Sequence, residues 1–445
     1  MWDRIPGGKL GAGVAVLIVL AVLLGGASRG NALRLSLLEL ASLPLLGVAL
    51  IRLWTDGSWR RHRFALALAA AAAAVPLIQL IPLPPGIWQS LPGREQAVLA
   101  LEVAGLQPGW SRYSLTPDLT LRSALALLPP MSVFLAVLAL PRDPGRDAAR
   151  LWIGLTVAGL TLGIAQVAVG AAALHPWPTS EAGEMTGFFA NRNHLATMVL
   201  TALPFCGLMI GRRLRRGDDG RAALWLWAGV AALLAALTLA IQSRAGVVLL
   251  LPILALSALV AHMASGRAFP GPKVLAVLAA GFVGVAALGW FGGAAVLDRF
   301  QSEEAERRLE NWPLIVEAAQ THLPAGAGMG SFDRVFRTVE PLEDLDATYF
   351  NSAHNDYLET WLEAGWLATA ILIAFLIWFG RRVLELWRDP RSHGRAAPAA
   401  AVAIVAVLVH SAVDYPLRTV TLTVLFALCC ALLERRADPA RRERR

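Results

Sequence analysis

Lysine is almost missing from this chain: of its 40 basic residues only Lys9 and Lys273 are lysines, and the rest are arginines. Charge of either sign is scarce too, at 16% of residues, where a soluble globular protein carries about 25%. The three cysteines, Cys206, Cys429 and Cys430, all lie inside apolar runs without metal-ligand spacing, so they read as small buried hydrophobes. No P-loop lysine and no strand–turn–helix context accompany Gly326, Gly328 and Gly330, which excludes a nucleotide loop there and leaves a turn that lets backbone approach a neighbour. No internal repeat and no acidic metal cluster is visible.

What the chain has is apolar length. It is 56% hydrophobic with a mean hydropathy of +0.55. Its repeated apolar runs, roughly 18–22 residues each, are long enough to cross a ~30 Å hydrocarbon core as helices. The fold class expected is an all-α polytopic membrane protein with about 12 transmembrane helices. The spans fall near 10–26, 35–51, 64–83, 121–140, 151–174, 194–211, 222–241, 245–264, 274–292, 364–380, 397–413 and 419–433. The basic start and apolar core of residues 1–26 resemble a signal peptide, but no convincing cleavage site follows, so a retained first helix is expected. Residues 1–434 are expected to form one integral membrane domain, with a basic tail at 435–445.

The net charge of +8 does not point to nucleic acid, because the basic residues sit in short clusters between apolar runs. Loops on the side of the N-terminus hold 27 of the 40, and the opposite loops hold 13 although they include the two longest. The positive-inside rule then places both termini in the cytoplasm. Arg192, Arg244, His354 and Arg418 fall on the outer face with the one long hydrophilic stretch, Gly293–Glu359, which carries 13 acidic and 5 basic residues. That stretch is expected to be a large outer loop containing short helices. Charges are expected to stay at span ends.

His354 stands in Ser352-Ala-His-Asn-Asp-Tyr-Leu-Glu359, just before an apolar helix. Ser352, Asn355 or Asp356 suit a helix cap. Histidine caps poorly, and an imidazole at the membrane surface suits proton transfer near neutral pH. Arg244, in Ile241-Gln-Ser-Arg-Ala-Gly246, either binds an anion or snorkels to lipid phosphate, and Arg192 faces the same choice. His194 reads as a packing or capping residue rather than a second catalyst. Arg308, Trp312 and Glu310 face either solvent or a substrate groove. Asp414 and Arg418 close a helical hairpin and are placed to pair with each other. Trp88, Trp110 and Trp177 read as interfacial anchors, with sugar stacking as the other possibility. Two arginines and a histidine at one face suggest group transfer from a lipid diphosphate, since guanidinium forks bind its oxygens in bidentate fashion.

The order of Asn191-Arg-Asn-His194, Ser243-Arg-Ala-Gly246, Arg308-x-x-x-Trp312, Gly326-x-Gly-x-Gly-x-Phe332 and His354-Asn-Asp-Tyr-Leu-Glu359 resembles the O-antigen ligase and polymerase family. Ser411-Ala-Val-Asp-Tyr415 fits the same pattern, and the resemblance covers roughly residues 180–420. It implies a GT-C-like membrane glycosyltransferase of the bacterial inner membrane. Such an enzyme moves a glycan from undecaprenyl diphosphate to lipid A-core or a growing glycan at the periplasmic face, with no cofactor, nucleotide sugar or required metal. On this resemblance Arg192 and Arg244 bind the diphosphate, His354 is the catalytic base, and Arg308, Trp312, Asn355 and Tyr357 line the substrate groove. The competing class is a multi-spanning solute carrier of the inorganic-carbon type. A carrier would place ionisable groups near mid-membrane and break helices in related halves.

Overall fold

The computed structural model describes residues 8–28, 32–178, 183–215, 221–266, 303–342, 351–389 and 392–436. The described residues are built from helices, with one two-stranded ribbon in which Pro82–Leu83 pairs antiparallel with Ser111–Arg112. The principal helices are α1 (Gly8–Leu24), α2 (Ala32–Thr55), α3 (Arg63–Gln79), α4 (Pro117–Leu125), α5 (Leu128–Ala139), α6 (Gly145–Val169) and α7 (Arg192–Leu214). They continue with α8 (Arg221–Ala240), α9 (Arg244–Ala264), α10 (Glu303–Thr321), α11 (Phe332–Phe336), α12 (Asp356–Arg388), α13 (Ala397–His410) and α14 (Val420–Glu434). Among the described residues seven helical segments are long and apolar enough to cross a membrane, and α1, α13, α14 and most of α8 are shorter apolar helices. This is an all-α polytopic membrane architecture. Every expected span but the ninth overlaps a helix, and the ninth, at 274–292, lies outside the described residues, as do parts of the hydrophilic stretch and of the basic tail.

Apolarity on every side, rather than a stripe, marks a buried helix. α7 is that helix: 94% of its apolar window is buried, against 22% for α2. Its sequence allows close approach through Gly207-x-x-x-Gly211, the small-residue spacing that lets helix backbones touch. A Cβ at Gly207 would run into the Ser257 carbonyl, and one at Gly211 into that of Ala261. Nearer the start of the pair, a Cβ at Gly246 would come 2.9 Å from that of Ala196. The residue offset is the same at all three contacts, so α7 and α9 run parallel and begin at the same end of the molecule. α13 runs the other way, and its last residue, His410, meets Thr197 in the first turns of α7, Nδ1 to Oγ1, at 2.8 Å.

The hydrophilic stretch has a small core of its own. Ile315, Ala318, Ala327, Phe332, Phe336, Ala353 and Leu362 are buried together, with the Phe332 and Phe336 rings stacked at 5.5 Å. Burying each phenylalanine contributes about 2–3 kcal/mol. This core is fastened to the membrane helices at a break in α12, where Gly365 takes φ 55° and ψ −140°. The opened turn leaves carbonyls that the glycine loop fills: Ala327 N–H donates to Leu362 O and Gly328 N–H to Glu363 O, both at 2.9 Å. Gln79, at the end of α3, donates to the Glu363 carbonyl at 2.9 Å and accepts from Met329 N–H at 2.8 Å. Gly326 has φ 82°, and a Cβ there would meet the Glu363–Ala364 backbone at 2.5 Å, so glycine is required for this close approach.

Candidate functional site

Both flanks of His354 are tied down. Ser352 Oγ and the Ala353 N–H donate to the same Glu359 oxygen at 2.5 and 2.9 Å, and Trp312 Nε1–H donates to the Ala353 carbonyl at 3.3 Å. On the other side Asn355 caps α12, its Oδ1 accepting from the Tyr357 and Leu358 N–H groups at 3.0 and 3.1 Å. The Asn355 amide also donates to Ala412 O at 3.0 Å, and the Tyr357 hydroxyl donates to Leu408 O at 2.6 Å. Between these anchors His354 takes φ 46°, a left-handed conformation that costs on the order of 1–3 kcal/mol outside glycine. Among the described residues only one other non-glycine position has a positive φ, Gln242 at 57°, two residues before Arg244. Strain of this kind gathers at functional sites.

The His354 ring is held by a carboxylate from a distant part of the chain. Its Nδ1 lies 3.2 Å from Asp414 Oδ1, and the two side chains are 11% and 1% exposed. Burial pushes the Asp414 carboxyl up, but the hydrogen bond from His354 and the neighbouring imidazoles of His194, His354 and His410 hold it below the usual carboxylate range. An ionised Asp414 fixes the proton on Nδ1 and makes Nε2 the basic nitrogen of the neutral ring. Tyr415 packs its ring edge-on against His354 at 4.8 Å and against His194 at 5.1 Å. His194 is buried, and among the described residues His410 Nε2 and Asp414 Oδ2 lack hydrogen-bond partners. His194 is thus packed edge-on against the rings of Phe189 and Tyr415, beside the carboxylate of Asp414.

Arg192 and Arg244 open α7 and α9, and the parallel packing of those helices brings both to the His354 end. Asn191 and Ser243 cap the two helices, accepting from Asn193 N–H at 2.8 Å and Gly246 N–H at 3.2 Å. Arg192 pairs with Glu184 at 2.8 Å, and its side chain is 37% exposed. With α12, three helix N-termini converge here, and aligned peptide dipoles give such ends a partial positive charge. An anion is the ligand this arrangement favours.

Arg418 departs from expectation. It does not pair with Asp414, which His354 takes. Its Nη1 bonds Glu363 Oε2 at 2.8 Å, and its Nε lies 3.5 Å from Glu359 and 3.8 Å from Asp356. Those three carboxylates recur at helical spacing on one face of α12, within reach of one guanidinium. Burial lowers the Arg418 pKa, but the carboxylates outweigh it and hold the guanidinium charged. Glu359 thus links Arg418 to the backbone just before His354, giving Arg418 a positioning role.

Trp312 sits against the His354 loop, and Arg308 lies one turn earlier on α10, with its side chain outside the described residues. The polar atoms of Asn355 and Tyr357 are engaged by backbone as above. Trp88 and Trp177 are buried, with Nε1–H bonded to the carbonyls of Gly109 and Phe188 at 2.9 and 2.8 Å, while Trp110 is 70% exposed. Glu39 breaks the expectation that charges stay at span ends, since it lies inside α2. Among the described residues no three His, Cys, Asp or Glu side chains are grouped to hold a metal ion.

Residues 229–373 match the O-antigen ligase family. The match takes in Arg244, α10, the glycine loop and His354, and ends before Asp414. No curated protein matches the chain.

Proposed function

We infer that this chain, a relative of the O-antigen ligases through residues 229–373, is a membrane glycosyltransferase acting on a lipid diphosphate-linked glycan at the periplasmic face. The observation that carries this reading is the His354–Asp414 pair, set in a strained loop at the end where two arginine-headed helices begin. In the proposed reaction an acceptor hydroxyl attacks the anomeric carbon of a glycan on undecaprenyl diphosphate. His354 Nε2 takes the hydroxyl proton as the new C–O bond forms, and Asp414 stabilises the imidazolium. The bond from the anomeric carbon to the diphosphate oxygen breaks. Arg192, Arg244 and the helix N-termini take up the charge developing on the leaving diphosphate, the part a metal plays in other transferases. The acceptor is lipid A-core or a growing polysaccharide, so the chain is a ligase or a polymerase.

The solute-carrier reading would use broken helices and mid-membrane charge for substrate. Here the broken turn of α12 has its carbonyls filled by Ala327, Gly328 and Gln79, which favours transfer over transport. The bias of arginine to the end opposite His354 supports an inner-membrane placement with cytoplasmic termini.

A deletion strain complemented with wild type, His354→Ala or Arg244→Ala tests the proposal through its polysaccharide profile, with membrane levels matched by blot. Both variants are expected to lose transfer by about 10²-fold or more. Accumulated single repeat units would then mark a polymerase, and full-length unattached chains a ligase. Full complementation by both variants would remove the catalytic assignment.

A further inference from the structure

α1 and α2 pack as a hairpin whose outer surface is apolar, and a groove of about 410 Å³ runs between them. Leu10, Leu17 and Leu45 form its buried floor. It is open because Gly13 contributes no side chain, and because Ala41 and Pro44 are small on the facing helix. From Lys9 to Leu20 its lining spans about 16 Å at ~1.5 Å per residue. That is close to half of a ~30 Å hydrocarbon core, one leaflet.

Both cations of the groove, Lys9 and Arg52, sit at one end. That end lies away from His354. The far end of α1 leads to Gly26, whose carbonyl accepts from the Ala190 N–H at 3.2 Å, two residues before Arg192. The cationic end also carries the marks of a membrane–water boundary. Trp54, 74% exposed, stacks on Trp59 at 5.9 Å, and the Arg60 guanidinium lies 5.6 Å from the Trp59 ring. An apolar slot one leaflet deep, capped by two positive charges at headgroup level, has the shape and charge of one lipid. A lipid diphosphate headed toward Arg192 does not fit it, because its charge would lie at the wrong end.

We propose that the α1–α2 groove is a binding site for an anionic phospholipid, one acyl chain lying against Leu10, Leu17 and Leu45 and the phosphate held by Lys9 and Arg52. The site is independent of the transfer site. It anchors the hairpin in the leaflet on the side opposite His354.

The test uses the full chain purified in detergent and titrated with phosphatidylglycerol or phosphatidylcholine of identical acyl chains, with bound lipid counted by native mass spectrometry. Each surface cation is worth about fivefold in affinity for an anionic lipid, so the wild type is expected to prefer phosphatidylglycerol on the order of 20-fold. The Lys9→Ser/Arg52→Ser variant should lose that preference, whereas Arg60→Ser/Arg61→Ser, outside the groove, should keep it. Gly13→Leu fills the slot, since a Cβ there already meets Leu45 Cδ1 at 3.0 Å, and should reduce retention of both lipids. Equal retention of the two lipids by the wild type would overturn the proposal. So would an undiminished preference in the Lys9→Ser/Arg52→Ser variant, which decides the matter even if Gly13→Leu fails to fold.

Discussion

Opposite ends of this molecule use the same parts for different ends. Each has a histidine bonded through Nδ1 to a buried carboxylate from far along the chain: His354 to Asp414 at 3.2 Å, and His62 to Glu434 at 3.0 Å. At the His62 end the carboxylate is saturated. Glu434 Oε1 meets His62 and Arg382, and Oε2 meets Trp378 and Arg382, all at 2.8–3.0 Å. Three elements, the segment before α3, the end of α12 and the end of α14, are thereby clamped. At the His354 end polar capacity is left over. Of ten buried side-chain atoms without a hydrogen-bond partner among the described residues, five belong to His194, His410, Asp414 and Asp356. Buried groups are normally satisfied because an unmade hydrogen bond costs about 1–3 kcal/mol. A saturated cluster of this kind holds structure, whereas the polar atoms left over at the end of three helices are the ones the proposed transfer would use.

Exchanging the damage between the two carboxylates gives the largest contrast. Glu434→Ala leaves Arg382, 13% exposed, without its main partner and should cost about 3–5 kcal/mol, read as loss of folded protein in membranes. Asp414→Asn keeps the shape and should leave membrane levels near normal while transfer falls by about 10²–10⁴-fold. If Asp414→Asn instead lowered folded protein and left specific transfer intact, the two ends would be clamps of one kind.

The histidines sharpen the same contrast at smaller amplitude. His62→Phe removes a bond to Glu434 and is expected to lower thermal stability by about 1–3 kcal/mol, with transfer per folded molecule unchanged. His194→Phe replaces a buried imidazole, packed edge-on against Phe189 and Tyr415, by an apolar ring, so stability should hold or rise. Transfer should nevertheless fall roughly tenfold, less than for a direct proton acceptor, because the imidazole beside Asp414 is lost. Melting curves and transfer assays on the same two preparations check both halves. A His194→Phe protein that is stable and fully active would leave His194 with the packing or capping role expected of it.

The readable parts of this protein were those where rarity makes a residue conspicuous. Apolar runs located the helices, and His354, Arg192 and Arg244 stood out because polar groups beside spans are few. What stayed hidden depends on which helices touch. His354 and Asp414 are 60 residues apart, and the sequence alone offers Asp414 only the nearer Arg418, whose guanidinium the carboxylate face of α12 takes. The parallel course of α7 and α9 had a written signal in Gly207-x-x-x-Gly211, although not one that names the partner helix. The break at Gly365 fell where the sequence reading began a new span. The capped turns before Gly365 and the apolar run after it are two helical pieces that meet at this kink.

A third histidine extends the comparison to one that is buried and hydrogen-bonded to backbone rather than to a carboxylate. His322 follows α10, with Nδ1 2.8 Å from the Ala318 carbonyl and its ring packed where a Cβ at Gly93 would otherwise lie. Burial lowers its pKa, and the charge of Arg94 adds to that against the opposing Ala318 hydrogen bond and Glu95. The folded protein thus keeps His322 neutral at pH values where an unfolded chain, titrating near 6.5, begins to take up a proton. Stability from this group is complete above about pH 6.5 and declines as pH falls through the ordinary histidine range toward the folded value. Melting temperature followed from pH 8 to pH 5 should drop more for wild type than for His322→Gln, by a degree or two, because the amide cannot take the proton. Parallel curves would mean that the unfolded and folded chains protonate His322 alike. Burial and hydrogen bonding at this corner would then be too weak to count it with the saturated cluster at Glu434.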